Sequence, residues 1–424
     1  SKDMSEAFFE VEAPLLMGEK FAKELTLNVS ARITDDEIYG SNSTYSAKVG
    51  WRPVNSLLIR GTYGTAFRAP NLRELYLMAQ TGFNTIFDPC MVPEEAIDQF
   101  TGEYDSVADP REAYVLDNCR NSGADPLNQG FASYSVEQST GGSLTLDPET
   151  SDSWTAGFAW EQEMTNEFDF GVGATYYEVD IDDTIIEPNG QYIVNDCYYT
   201  LTGESAFCSR ISRDEDGDID LLDNGFLNRD NEKARGVDVN ITFGDEYSIG
   251  NNVYEVEWDV RATRYIERST LYLDDEGNED YEDYAGEWGF PSWRGESTLA
   301  VSWEKWRAQL RTNYTAAVDQ DPVGIDPLSD IYDSLNTGTF GDTCLGAGDA
   351  YCRDVGFADD YMIHTLSVSY TEDNWGVALG VRNLQDKAPP MVDGSEVTSV
   401  NNAVIGYGYD MLGRTIFLSG GYAF

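Results

Sequence analysis

The chain has 424 residues, 27 of them basic and 76 acidic, for a formal charge of −49. That charge repels a nucleic-acid backbone; it would suit a disordered acidic chain only if aromatics were few, and here there are 26 Tyr, 19 Phe and 9 Trp. No apolar run approaches the roughly 20 residues of a membrane helix, a test that strands escape because each is only half apolar.

Strict alternation predicts thirteen strands. Phe8 to Pro14 is a weak first one. Leu25, Leu27, Val29, Ala31 and Ile33 then alternate with Thr26, Asn28, Ser30 and Arg32, and Tyr45, Ala47, Val49 and Trp51 with Ser46, Lys48, Gly50 and Arg52. In the fourth, Leu57, Ile59, Tyr63 and Phe67 share one face; Arg60, Thr62, Gly64, Ala66 and Arg68 share the other. Pro70 cannot donate to a ladder and ends it. The apolar faces that follow are Trp154 to Trp160, Phe168 to Tyr176, Val237 to Phe243, Tyr254 to Val260, Trp293 to Trp303, Trp306 to Tyr314, Met362 to Tyr370, Trp375 to Val381, and Ile416 to Phe424.

Apolar and aromatic on one face, small, polar and basic on the other, is wrong for a soluble sandwich. It suits a wall with lipid outside and a polar lumen inside. Trp51, Trp160, Trp303, Trp306, Trp375 and Tyr422 collect near strand ends, as in an interfacial girdle. Short connections alternate with long ones at 35–44, 69–149, 183–228, 268–289, 317–360 and 385–408. Long structureless loops are foreign to compact soluble domains but usual on one side of an outer-membrane barrel. All six cysteines lie in those loops, as the local pairs Cys90/Cys119, Cys197/Cys208 and Cys344/Cys352. Of 15 pairings, the local one is expected; metal binding is the alternative, with no CxxC spacing and a single histidine, His364, to support it. Disulfides imply an oxidising compartment.

Several motifs resemble TonB-dependent outer-membrane receptors. The fullest is Phe67-Arg68-Ala69-Pro70-Asn71-Leu72 followed by Glu74-Leu75-Tyr76. Others, in order, are Pro148-Glu149-Thr150-Ser151, Arg235-Gly236-Val237-Asp238, Phe290 to Gly295, Val381-Arg382-Asn383-Leu384, and Asp410-Met411-Leu412-Gly413-Arg414 ahead of a last strand ending in Phe424. The set covers essentially the whole chain, most weakly its first fifty residues. The resemblance implies an all-β, transmembrane antiparallel barrel of 22 strands around an N-terminal plug, with TonB as energising partner. Thirteen strands and no visible plug make this chain, residues 1–424, the C-terminal part of such a barrel. The other nine strands and the plug lie upstream, in a cleaved, truncated or partial chain. The implied function is active uptake of a scarce nutrient across a bacterial outer membrane, with the long loops extracellular and lipopolysaccharide around the wall. An outer-membrane barrel enzyme or a passive porin is the alternative. With one histidine and no phosphate loop or dinucleotide fingerprint, no catalytic constellation is legible.

Arg60, Arg294, Arg307, Arg311 and Arg382, with Arg32, Arg52 and Arg68, fall on the expected lumen face together with Glu296; the resemblance implies contact with the plug. Asp214 to Asp220 looks like a calcium loop, but its sixth and twelfth places hold Ile219 and Gly225 where an EF-hand needs Gly and Glu. Asp274, Asp275, Glu276, Asp280 and Asp283 crowd another loop, where calcium or magnesium would relieve the repulsion. Otherwise no cofactor is expected. Scarce histidine argues against haem as cargo, and the acid argues against polyanions. A glycan, a peptide or a metal chelate fits better.

Overall fold

The computed structural model describes residues 3–98, 100–163, 168–200, 205–273, 279–319, 357–390, 399–400, 403–404, 406 and 408–423. Thirteen of its strands form one sheet. They are β1 (Met4–Glu19), β2 (Ala22–Asp36), β3 (Gly40–Val54), β4 (Leu57–Arg68), β5 (Glu149–Glu163), β6 (Phe168–Ile186), β7 (Leu227–Ile249), β8 (Asn252–Leu273), β9 (Trp293–Trp303), β10 (Trp306–Thr315), β11 (Tyr361–Thr371), β12 (Trp375–Arg382) and β13 (Thr415–Tyr422). They are the thirteen that alternation predicts. Each pairs antiparallel with the next, and a short strand, Glu279–Asp283, adds to β8. Among the described residues β1 and β13 are the two ends of this order and do not pair with each other.

The register keeps apolar side chains together across strands. Leu57 faces Trp160, Ile59 faces Phe158 and Tyr63 faces Trp154, all on the outer surface. Thr62 meets Thr155 across the opposite face, hydroxyl to hydroxyl at 2.7 Å. One girdle is continuous: Tyr254 packs on Trp303, Trp303 on Trp306, Trp306 on Tyr370 and Tyr370 on Trp375. Trp303 and Trp306 flank the two-residue turn Glu304-Lys305 and stack with centroids 6.4 Å apart. Toward the other rim stand Trp154 on Tyr176, Tyr45 beside Tyr63, and Trp293 beneath Arg264. From Trp303 to Trp293 is ten steps of β9. That is about 34 Å along the strand and, at a tilt of about 40°, about 26 Å of height, close to an outer-membrane apolar band.

The longest strands run past this band. β7 has 23 residues and β8 has 22, whereas only Val237 to Phe243 and Tyr254 to Val260 carry the alternating apolar signal. Beyond Val237 the outward positions become Arg235 and Lys233, opposite Glu178 and Asp180 of β6. Lys233 reaches both carboxylates, at 2.8 and 3.2 Å, and Arg235 pairs with Glu267. Backbone pairing does not need apolar side chains, so the ladder continues into water after the apolar pattern has stopped.

Two expectations about the loops need correction. The connection at 35–44 is a three-residue turn, not a long loop: Asp36 Oδ1 accepts from the Ile38 and Tyr39 amides, and Gly40 takes a φ of +67°. Nor are the two longest loops structureless. Residues between β4 and β5 and between β6 and β7 fold together as a cap. Its four-stranded sheet runs Gln80–Phe87, Ser133–Thr140, Ile219–Asp223, Ile211–Arg213, drawing two strands from each loop. Helices α1 (Leu72–Tyr76), α2 (Ala113–Asn121) and α3 (Gly190–Tyr199) join it. Ile86, Val115, Val136, Ile193, Tyr198 and Leu222 belong to its closed core, along with Cys90, Cys119 and Cys197. Disulfides close Cys90 to Cys119 and Cys197 to Cys208. Cys344 and Cys352 lie outside the described residues.

The wall makes a directional prediction. Leu299 is outward in the apolar band and 40% exposed, whereas Asn28 is on the lumen face beside the Glu10 carboxylate. In the full-length protein, Leu299→Arg should cost about 2–4 kcal/mol of barrel stability, and Asn28→Arg close to nothing. Thermal melting of the heat-modifiable folded band measures both; equal effects would mean that the register of β9 is misassigned.

Candidate functional site

The fourth strand ends in a clamp. Arg68 donates from Nε and Nη2 to the Glu149 carboxylate, at 2.5 and 2.7 Å, and from Nη1 to both oxygens of Glu74, at 3.0 and 3.1 Å. Glu149 Oε1 also accepts the Ile185 amide at 2.8 Å. One guanidinium therefore ties β4 to β5, β6 and α1. Phe67 is the strand's penultimate residue, Ala69 is half-buried and Pro70 buried. Asn71 then caps α1: its side chain accepts from the Arg73 and Glu74 amides while Glu74 accepts the Asn71 amide, a capping box. The helix lays Leu75 inward, against Gly142, where a Cβ would stand 2.6 Å from the Leu75 carbonyl carbon. The residues that carry the fullest resemblance thus turn the chain from wall into cap. Asn71-Leu-Arg-Glu74 is a capping-box spacing, a local helix-start signal legible in the sequence.

A second junction lies near the C-terminal strand. Asn383 is fully buried with a φ of +50° and holds Lys387 through both its side-chain oxygen and nitrogen. Asp386 Oδ1 accepts the Arg414 amide at 2.7 Å. Gly413 has a φ of +68°, and a Cβ there would come within 2.9 Å of that carboxylate. The motifs around Arg382 and Gly413 therefore meet in space. Phe424 lies outside the described residues.

The lumen arginines do not form a free basic stripe. Arg307 pairs with Glu257 and Arg311 with Glu296, each at 2.7 Å. Arg32 stands 3.6 Å from Glu6, and Arg52 stands 3.7 Å from Glu24. Arg60 donates to the Thr175 hydroxyl, and Arg294 to the Gly289 carbonyl. Arg382 has no ion pair among the described residues. His364 shares a hydrogen bond with the Thr312 hydroxyl, 2.7 Å from Nδ1.

The cap holds its own charges. Asp88, fully buried, accepts two hydrogen bonds from Arg213 and one from Tyr134. Arg111 donates to Asp109, and to the carbonyls of Pro89, Cys90, Met91 and Pro126. The Arg111 guanidinium, bonded to the Asp109 carboxylate, holds that carboxyl down to about 2. Asp214 makes a hairpin turn, not a calcium loop: its Oδ1 accepts from the Asp216 and Asp218 amides, and Gly217 has a φ of +90°. Burial, then the neighbouring Asp214 charge, raises the Asp218 carboxyl. In the acidic loop, Asp283 Oδ1 accepts from the Arg268 and Ala285 amides. Asp280 lies in the short strand beside β8; Asp274, Asp275 and Glu276 lie outside the described residues. Among the described residues no three acidic, histidine or cysteine side chains gather in a metal-binding group.

Removing the Arg68 clamp should detach cap from wall. Arg68→Ala leaves Glu74 and Glu149, 8% and 9% exposed, without their counter-charge. Because Arg68 itself is partly solvated, the expected loss is about 2 kcal/mol, less than for a fully buried pair. Limited proteolysis should open the cap loops while the barrel stays heat-modifiable. Unchanged protease resistance would mean that the clamp holds nothing.

A family model, TonB dependent receptor-like β-barrel, matches residues 5–384. Among solved structures, the chain is similar to the siderophore receptor PirA from Acinetobacter baumannii, with a TM-score of 0.54 and 14% identity over 100% of this chain and 46% of that one. It is likewise similar to a mutant of the ferric enterobactin receptor PfeA from Pseudomonas aeruginosa in complex with enterobactin, with a TM-score of 0.55, 14% identity, and the same 100% and 46% coverage. At that identity the likeness concerns the fold alone. The chain spans less than half the length of these receptors. The family is one of transport receptors, not an enzyme class, and its barrels sit in outer membranes. With the matched wall, faces and girdles, this chain belongs to the TonB-dependent receptor-like β-barrel family.

Proposed function

We propose that this chain is the C-terminal part of the barrel of a TonB-dependent receptor, which takes up a scarce nutrient across a bacterial outer membrane. The observation that carries the proposal is the open wall. Among the described residues strands β1 and β13 each leave an unpaired edge, and an edge facing hydrocarbon costs several kcal/mol for each unsatisfied backbone group. Further strands of the same receptor would close it, consistent with the 46% coverage of the solved receptors. The plug would stand against the polar lumen face. Arg60 and Arg382, which pair with no carboxylate among the described residues, are better placed to meet it than Arg307 or Arg311. TonB would act through the missing part. The cap and the other long loops would face outward, above a lipopolysaccharide leaflet, where disulfides persist. The cargo would be a glycan, a peptide or a metal chelate.

The test is uptake by cells that carry the full-length receptor, with and without TonB, offered one labelled member of each cargo class. Accumulation of one class that vanishes without TonB is expected. Accumulation indifferent to TonB would point to a porin, and chemical conversion of the cargo to an enzyme. For the acidic loop that holds Asp274, Asp275, Glu276, Asp280 and Asp283 we propose ordering by calcium or magnesium, because hard cations take clustered carboxylates. Protease cleavage of that loop should speed up several-fold in a chelator; an unchanged rate leaves a merely solvated acidic surface.

A further inference from the structure

The cap carries a groove of about 1070 Å³, at the upper end of small-molecule sites, which run from about 300 to 1,000 Å³. Its floor is apolar: Met91, Val92 and Val115 are all but inaccessible. Its walls are aromatic: Phe87, Tyr114, Phe131 and Tyr199. Phe131 is 87% exposed, and the closed core behind the groove does not include it. Pro89, Pro93 and Pro110 also line the groove; having no N–H, they give an incoming chain few donors for strand addition. Recognition there must rest on side chains.

The charge around the groove has one sign. Glu94, Glu95 and Glu112 line it and are exposed, and among the described residues none has an ion pair or hydrogen-bonding partner for its carboxylate. Arg111 is the single cation in the lining; its side chain is 7% exposed, and its guanidinium is engaged by Asp109 and four carbonyls. It cannot neutralise the rim. Residues 69–149 as a whole hold 3 basic and 14 acidic side chains, a net 3 − 14 = −11. Exposed rings beside unpaired carboxylates attract cations twice over, by charge and by the ring faces. They repel polyanions.

We infer that this groove docks a short cationic peptide bearing aromatic or aliphatic side chains. Apolar side chains of the peptide fill the space over Met91 and Val92, and its ammonium or guanidinium groups meet Glu94, Glu95 and Glu112. As cargo capture this depends on the uptake proposed above; as binding it does not.

The experiment uses the purified full-length receptor in detergent and three dye-labelled octapeptides read by fluorescence anisotropy: alternating Lys/Phe, alternating Glu/Phe and alternating Lys/Ser. The Lys/Phe peptide should bind at least about tenfold more tightly than either twin. Phe131→Ser, which leaves the charge untouched, should weaken it about tenfold. The triple variant Glu94→Gln, Glu95→Gln, Glu112→Gln should do the same, although it alters a total charge of −49 by only three. Both variants should melt like the parent, since these side chains are exposed. If Lys/Ser binds as well as Lys/Phe, or if neither variant matters, the attraction is unspecific charge and the groove is overturned. In cells, TonB-dependent entry of the Lys/Phe peptide supports the cargo role. Binding without entry keeps the groove and overturns that role, while TonB-dependent uptake of another nutrient with no peptide binding overturns the groove and leaves the uptake reading intact.

Discussion

In the hydrocarbon of a bilayer a backbone amide has no water to bond, so every N–H and C=O of a spanning segment must find a protein partner. A strand cannot supply those partners itself; its neighbours must. This wall is therefore a strict meander in which each strand pairs with the next in sequence, from β1 to β13. The same requirement makes the ends of the order informative. A soluble sheet can blunt an edge with charge or a bulge, but a spanning one must pair it.

Once the ladder carries the backbone, side chains are free to sort by solvent. Between the Trp303–Trp306 girdle and Trp293, Leu299, Val301, Ala308, Leu310 and Tyr314 face outward, and the polar residues among them are bonded to outward neighbours, Ser297 to Trp258 and Thr312 to His364; inward positions carry hydroxyls, small residues and ion pairs. Where β7 leaves the band, the outward face changes from Val237 to Arg235 and Lys233, with no break in pairing to β6. Lipid is thus marked by side-chain chemistry, and strand length is not a measure of it.

This separation explains what the sequence made legible. Alternation locates all thirteen wall strands because lipid and lumen impose a period of two wherever both are present. It misses the upper halves of β7 and β8: on β7 both faces are largely polar there, and on β8 the apolar residues Tyr265, Ile266 and Leu271 no longer alternate. It misses the cap for a different reason. Strands there are three to eight residues long, and Ser133–Thr140 runs parallel to Ile219–Asp223, more than seventy positions away. No local pattern predicts such a pairing, nor that Asp88 meets Arg213. Alternation puts the arginines of the expected lumen on one face but does not reveal their partners: Glu257, on β8, lies fifty positions from Arg307.

Wall and cap are held by different physics: a hydrogen-bonded ladder in one, a closed apolar core with disulfides in the other. A chain that passes between the two needs residues that satisfy both at once. Arg68 does this by closing two carboxylates, one on the wall and one on the first helix of the cap. Asn383, Asp386 and Gly413 form the second such junction, where the backbone leaves the ladder through left-handed conformations. Wall positions accept many apolar residues, and cap positions depend on distant partners. Only the junctions demand particular side chains at fixed local spacing. The stretches that carry the fullest resemblance in this chain fall where the wall ends.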